Sequence, residues 1–317
     1  MIEVARLTDG AADWDPFVRR QREWSPFHLL AWRRVIADVF GHPTTYLTAR
    51  QAGELVGVLP MVVVRSPIFG RYLVSMPFVN YGGPLGEDAA ISSLVAEAVR
   101  IAAAERVKLL ELRSRVPLSI DLPVSHRKIT VVLDLPSGGP DQLFKSFDAK
   151  LRSQVRRPAK EGIVVKFGHD QIAPFYRVFA RHMRDLGTPV QPRKLFSSLA
   201  SAFGDDLWVG VAWLGDVPVA GGAGFCWNGE FEMTWASSLY SYNRLSPNMA
   251  LYWAFMERAC REGLARFNFG RCSVGGGTHR FKRQWGSRDE QLWWYQEGKG
   301  VSAGSSARRN SRQRLRS

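Results

Sequence analysis

The chain has 317 residues, 45% hydrophobic and 23% charged, which excludes a disordered protein and suggests two domains at roughly 150 residues each. Its 43 Lys+Arg against 29 Asp+Glu leave a charge of +14 and favour anionic partners: phosphate-bearing substrates, nucleic acid or a membrane surface. Three cysteines are too few for a disulfide scaffold and suit a reducing compartment. The first residues, MIEVARLTDGAADWDPF, lack the basic and apolar regions of a signal peptide. No apolar run reaches the ~18 residues of a membrane span, so a cytoplasmic protein is expected.

In chain order, WRRVIADVFG reads as an amphipathic helix closed by Gly41. YLTARQAGELVGV follows from Tyr46 as two alternating strands around a turn at Gly53. Asn80-Tyr81-Gly82-Gly83 is a turn whose glycines permit close backbone approach, and it reads equally as a plain turn or a ligand contact. AISSLVAEAVRIAAAERVKLLELR is a helix with 3.6-residue apolar spacing followed by a short strand. KLRSQVRRPAKEGI is a basic helix with Arg152 and Arg156 one turn apart, and Pro158 is expected to end or kink it. LFSSLASAFG closes at Gly204, and WVGVAWLGDVPVA from Trp208 is again a hairpin, turning at Gly215. Ser246-Pro247-Asn248 carries the start signals of the helix MALYWAFMERACREG, with Ser246 as N-cap and Pro247 at the first position. The strand FNFGR comes next, then HRFKRQWG.

From Glu297 the composition shifts to GKGVSAGSSARRNSRQRLRS, a tail without hydrophobic periodicity that is expected to be disordered. Its six cations against Glu297 contribute +5, so the body keeps +9.

The helix, hairpin, helix and strand recur in one order, with Gly215 standing 162 residues after Gly53. That repetition marks an internal duplication. A strand–helix–strand crossover makes one strand pair of each copy parallel, so each copy is an α/β unit with a mixed sheet. The expected boundaries are 1–145 and 146–296 for the two units and 297–317 for the tail.

Several chemistries find no support. No Gly-x-x-x-x-Gly-Lys-Ser/Thr, His-Glu-x-x-His, Cys-x-x-Cys or Gly-x-Ser-x-Gly motif is present, so no metal site or tightly bound cofactor is expected. Glu230 and Glu232 lie on one strand, where they read as a general base or as that strand's solvent face.

Hairpin, crossover helix and strand is the layout of the GNAT N-acyltransferase fold. The chain resembles the FemAB-like acyltransferases, which are tandem GNAT proteins, and in particular the group associated with exosortase (PEP-CTERM) and exopolysaccharide systems. The resemblance rests on WRRVIADVFGHPTTYL, NYGGPL, LRSQVRRPAKEGI, LGTPVQPR, and FNFGR followed by FKRQWG. It implies transfer of an acyl or aminoacyl group to an amine of a cell-envelope or exopolysaccharide precursor, with peptidoglycan precursors the acceptors in the best-known members. The implied donor is aminoacyl-tRNA, although the long heptad arm of some members is missing here. Acyl-CoA is the other donor, in an alternative reading as an N-acyltransferase of an amino sugar or small amine.

The resemblance also implies site residues. Lys282 would stabilise the oxyanion formed when an amine attacks an ester or thioester, with Phe281 holding it and excluding water. Arg152, Arg156, Arg157 and Lys160 would grip a nucleotide- or lipid-linked anionic acceptor, though they also read as a solvated helix face. Ser246 and Asn248, at a helix N-terminus, would meet the donor's phosphates. The usual acetyl-CoA loop is replaced by YNRLSPNM, so weak acetyl-CoA binding is expected. Asn80 and Tyr81 would contact substrate. A peripheral membrane contact is a further implied partner. A basic nucleic-acid-binding protein without catalysis is the alternative of another class, with no recognised motif in its favour.

Overall fold

The computed structural model describes residues 1–8, 11–66 and 70–298. Two compact units are formed, each around one mixed sheet.

Among the described residues, unit 1 comprises Met1–Leu30, His42–Lys128 and 291–298. Its sheet runs in the order β1 (Ile2–Arg6), β2 (Thr44–Gln51), β3 (Glu54–Ser66), β4 (Gly70–Val74), β6 (Leu109–Ser114), β15 (Trp293–Gly298), β7 (Val124–Ser125), with β5 (Leu85–Gly86) beside β3. Helices α1 (Trp14–Arg20) and α3 (Asp88–Ala104) belong to it. The apolar stripe of α3, including Ala90, Leu94, Ala98 and Ile101, packs on Leu47, Leu59, Leu73 and Leu110 of the sheet. Gly57 permits that approach, since a Cβ there would lie 2.9 Å from the Ala90 methyl.

Unit 2 comprises Ala31–Gly41 and Ile129–Glu290. Its sheet runs β9 (Ile163–Phe167), β10 (Leu207–Leu214), β11 (Val217–Trp227), β12 (Glu230–Ser238), β13 (Arg266–Cys272), β8 (Ile129–Asp134), β14 (Arg288–Gln291). Its helices are α2 (Ala31–Phe40), α4 (Gly139–Ser146), α5 (Ala149–Lys160), α6 (Ile172–Asp185), α7 (Arg193–Phe203), α8 (Pro247–Arg261) and α9 (Gly277–Arg283). Leu251, Phe255 and Met256 of α8 bury against Phe231 and Phe267 of the sheet.

The two orders correspond strand for strand, which bears out the duplication. β2 and β10, the strands at Tyr46 and Trp208, are each second in their sheet. The parallel pairs β4·β6 and β12·β13 also coincide.

The sixth strand of each sheet comes from beyond the other copy. β8, which follows the first repeat, pairs antiparallel with β13, while β15, which follows the second, pairs antiparallel with β6. The structure thus divides the chain differently from a cut at 145. β8 and α4 lie in unit 2, and the strand from Trp293 lies in unit 1. The helix α2 also joins unit 2, its Trp32 ring 5.9 Å from Phe203 and 6.0 Å from Phe225. Self-similarity cannot reveal these exchanges, because the matching segments end at β6 and β13. Glu297 and Gly298 close β15 and are not tail, and the rest of the tail, 299–317, lies outside the described residues. Among the described residues no helix is long and apolar enough to cross a membrane.

Candidate active site

β12 and β13 pair only from Glu230 to Glu232 against Arg266 to Asn268. Beyond Glu232 and Asn268 the two strands are no longer paired. The opening lies next to Ser238 at the end of β12 and to the start of α8.

Three elements meet at Ser238. Its backbone N–H donates to His182 Nδ1 of α6 at 3.0 Å. Its hydroxyl accepts from Asn248 Nδ2 of α8 at 3.0 Å. Ser246 precedes α8 in the left-handed conformation, φ 56°, and its hydroxyl makes no capping bond. The position expected of the N-cap is therefore right, but the backbone, and not the side chain, makes the turn into the helix. Pro247 takes the first helical position.

A cavity of about 400 Å³ opens here, within unit 2. Asn248, Ser246 and Met249 line it from the α8 end, Ser238 and Tyr240 from the end of β12, His182 from α6, Gln154 from α5, and Phe281 and Gln284 from the α9 region. The lining holds no Asp, Glu, Lys or Arg. Burial draws the His182 imidazole below its ordinary pKa, opposed by the Ser238 backbone contact and then by the charge of Asp185.

Phe281 and Lys282, adjacent in sequence, diverge because successive helical residues point about 100° apart. Phe281 reaches the cavity and packs edge-on to Tyr252 at 5.0 Å. Lys282 is only 4% exposed and turns to β13, donating to the Gly270 carbonyl at 2.6 Å and the Arg271 carbonyl at 3.1 Å. Burial lowers its pKa to about 8, partly offset by Cys272 and Glu232. An ammonium has three donors, so one remains uncommitted among the described residues.

Glu230, Glu232 and Asn268 are all 0% exposed, so the two glutamates are not on a solvent face. Asn268 Nδ2 donates to Glu230 at 2.9 Å and to Glu232 at 3.4 Å. Its Oδ1 accepts from Thr130 Oγ1 at 2.5 Å and from the Gly270 N–H at 2.8 Å. Arg266 closes an ion pair with Glu230 at 3.2 Å. Neither glutamate lines the cavity.

Arg152, Ser153, Arg156, Arg157 and Lys160 line a second hollow of about 380 Å³ along one face of α5. Arg152 is partly committed, since it donates to the carbonyls of Lys145 and Phe147 at the end of α4. The Arg156 guanidinium stacks 4.8 Å over the Phe144 ring. Pro158 does not stop the helix at Arg157. It sits in the last turn, and α5 runs on to Lys160. Gln154 of the same helix lines the first cavity, so α5 bounds both hollows.

Asn80 and Tyr81 lie in unit 1 and are 6% and 2% exposed. The Tyr81 ring packs against Phe27 at 5.5 Å and under Arg115 at 5.5 Å. Nearby, α3 is preceded by Glu87 and opens with Asp88. Carboxylates at a helix N-terminus repel a phosphate. The corresponding end of unit 2 has none.

His182, Ser238, Gln154 and Gln284 were not singled out by sequence reasoning. His182 stands six residues before Thr188, in the stretch that ends LGTPVQPR. The loop of that motif is tied down by Trp235 Nε1, which donates to Gln191 at 2.8 Å.

Residues 145–283 match the acetyltransferase (GNAT) domain. This makes unit 2 an acyltransferase. No curated protein matches the chain in sequence. The acyltransferase superposes on the crystal structure of FemX with TM-score 0.66 at 15% identity, over 92% of this chain and 97% of that one. It superposes on L-PGS from Bacillus licheniformis with TM-score 0.61 at 13% identity, over 92% and 93%. A tandem GNAT protein from the clavulanic acid biosynthesis pathway gives TM-score 0.59 at 12% identity, over 95% and 100%. At these identities the likeness is one of fold, and it includes the tandem arrangement. Among the described residues no group of three His, Cys, Asp or Glu side chains could hold a metal ion.

Proposed function

We propose that unit 2 transfers an acyl or aminoacyl group to an amine on a cell-envelope or exopolysaccharide precursor. The observation that carries this reading is the uncharged cavity at the α8 N-terminus, beside the opening between β12 and β13. Free amide N–H groups at a helix start attract the phosphates of a donor, and Asn248 stands there. The acceptor's phosphates would lie along Arg152, Arg156, Arg157 and Lys160. Lys282 does not itself line the cavity, but it adjoins Phe281, which does, and beyond its two carbonyl bonds we assign its third N–H to the developing oxyanion. Phe281 excludes water at the cavity wall.

Aminoacyl-tRNA is the donor we favour. The fold is shared with FemX and with a lysylphosphatidylglycerol synthetase domain from Agrobacterium fabrum, which superposes with TM-score 0.57 at 13% identity over 89% of each chain. YNRLSPNM stands in place of the usual acetyl-CoA loop. The match to an acetyltransferase domain supports the second reading, an acyl-CoA-dependent N-acyltransferase.

The purified protein should be incubated with envelope precursors and either charged tRNA or acetyl-CoA, and the products weighed by mass spectrometry. A tRNA-dependent aminoacyl mass gain is expected. An acetyl gain would select the second reading, and no gain with either donor would overturn both.

A further inference from the structure

The proposed transfer assigns no role to His182, although it lines the cavity and no other lining residue titrates near neutral pH. Its geometry determines what it can do. The Ser238 backbone N–H points at Nδ1 at 3.0 Å, and a backbone amide can only donate. Nδ1 must therefore be the bare, accepting nitrogen, and the proton of the neutral ring must sit on Nε2. A second proton on Nδ1 would face the amide hydrogen head-on. Burial also disfavours the charged ring. Nε2 has no protein partner among the described residues, while the Tyr240 ring, at 6.0 Å, flanks the imidazole.

A half-buried imidazole held in this state is a poor base and a good hydrogen-bond donor. We infer that His182, locked as the Nε2–H tautomer by Ser238, is a hydrogen-bond donor to the carbonyl oxygen of the acyl donor in this cavity. The inference rests on reading the cavity as the transfer site. In the step, the acceptor amine attacks the carbonyl carbon and the carbonyl π pair moves to oxygen. That oxygen accepts the Nε2–H bond. Collapse of the adduct reforms the C=O and expels the leaving oxygen or sulfur with the bonding pair, while the amine loses its proton to solvent. His182 neither gains nor loses a proton. A preorganised donor aimed at developing charge lowers the barrier without reorganising.

Two isosteres separate the two ring nitrogens. In His182→Asn the amide oxygen can replace Nδ1 on the Ser238 N–H, but no group replaces Nε2–H. In His182→Gln the longer side chain places an N–H where Nε2–H was. With the donor that the wild type turns over, His182→Asn should lower kcat about 100–1,000-fold with little change in KM. His182→Gln should remain within about tenfold of wild type. Equal losses in the two variants, or an unchanged kcat in His182→Asn, would overturn the inference.

A readout independent of turnover is ¹⁵N–¹H correlation of the histidine rings in the full chain at pH 7. It should show His182 as the Nε2–H tautomer, and that resonance should move on addition of acetyl-CoA or of aminoacyl-adenosine, the 3′ end of a charged tRNA. An Nδ1–H or doubly protonated ring, or a resonance that moves with neither probe, would overturn the inference even if acyl transfer is established. If the tautomer and the shift are seen but nothing is transferred, the Proposed function fails and the assignment of His182 as a donor to a bound carbonyl stands.

Discussion

Lys282 Nζ donates to the carbonyl of Gly270 at 2.6 Å, and the N–H of that same glycine donates to Asn268 Oδ1 at 2.8 Å. One residue of β13 thus couples α9 to the buried carboxylate network through its two backbone groups. The lysine aligns the helix that presents Phe281, and it carries a charge into a site that is 4% exposed.

That charge has a measurable cost. In the folded protein Lys282 loses its proton near pH 8, against an ordinary value of 10.5. Between these values the unfolded chain binds more protons, so stability rises with pH across this window and is flat for this group below it. Lys282→Met lacks the group. Urea unfolding from pH 7 to 10 should show wild type gaining on Lys282→Met above pH 8, by on the order of 3 kcal/mol if the window were completed. A pH-independent difference would contradict the burial argument.

Lys282→Ala should lower kcat about 100–1,000-fold with a smaller change in KM. Lys282→Arg should rescue poorly, because a planar fork cannot hold the Gly270 and Arg271 carbonyls as a compact ammonium does. Arg156→Ala should instead raise KM, since phosphate would be gripped equally in ground and transition states. Steady-state kinetics on the three variants distinguish these roles. An unchanged kcat in Lys282→Ala would remove the lysine from the chemistry.

Asn268 separates two carboxylates that are wholly buried. Replacing it with Leu strips both of a donor and leaves the Thr130 hydroxyl and the Gly270 N–H without their acceptor. Asn268→Leu should destabilise the protein by about 3–5 kcal/mol, the cost of breaking a buried charged network. Chemical denaturation at pH 7 measures it, and a loss below about 1 kcal/mol would show that the network relaxes.

Gly224 lies at the register shift between β11 and β12, where a Cβ would come 1.9 Å from the Glu232 carbonyl oxygen. The obstacle is backbone and cannot rotate away. Gly224→Ala should cost about 1–3 kcal/mol. Gly277→Ala, with nothing within 4 Å, serves as the control and should stay within about 0.5 kcal/mol. Thermal unfolding of the pair tests whether the close strand approach is as rigid as its geometry.

The duplication was legible because hairpin turns and helix ends leave local marks. Gly41, Gly53, Gly204 and Gly215 all take positive φ. The α8 start was legible for the same reason. The cavity was not, because His182, Ser238 and Gln154 come together from α6, β12 and α5, and nothing in sequence binds them. Lys282 stood out only through its Phe-Lys pairing, which could not show that its nitrogen would turn to β13 carbonyls. Glu230 and Glu232 alternate with Phe231 as a half-exposed strand would, yet both faces of β12 are covered and the alternation loses its meaning. The strand exchange lay beyond reach because the matching segments end at β6 and β13, before β8 and β15.

β15 has a consequence for synthesis. The sheet of unit 1 has its other strands by Ser125, but the partner of β6 is made only when the ribosome has passed Gly298. At about 5–20 residues per second, the β6 edge waits roughly 10–40 s with its ladder groups unpaired. Such an edge invites association with other chains. The nascent first half is therefore a candidate client for a chaperone during that interval, and the second half, which receives β8 before most of its own strands exist, has no corresponding need.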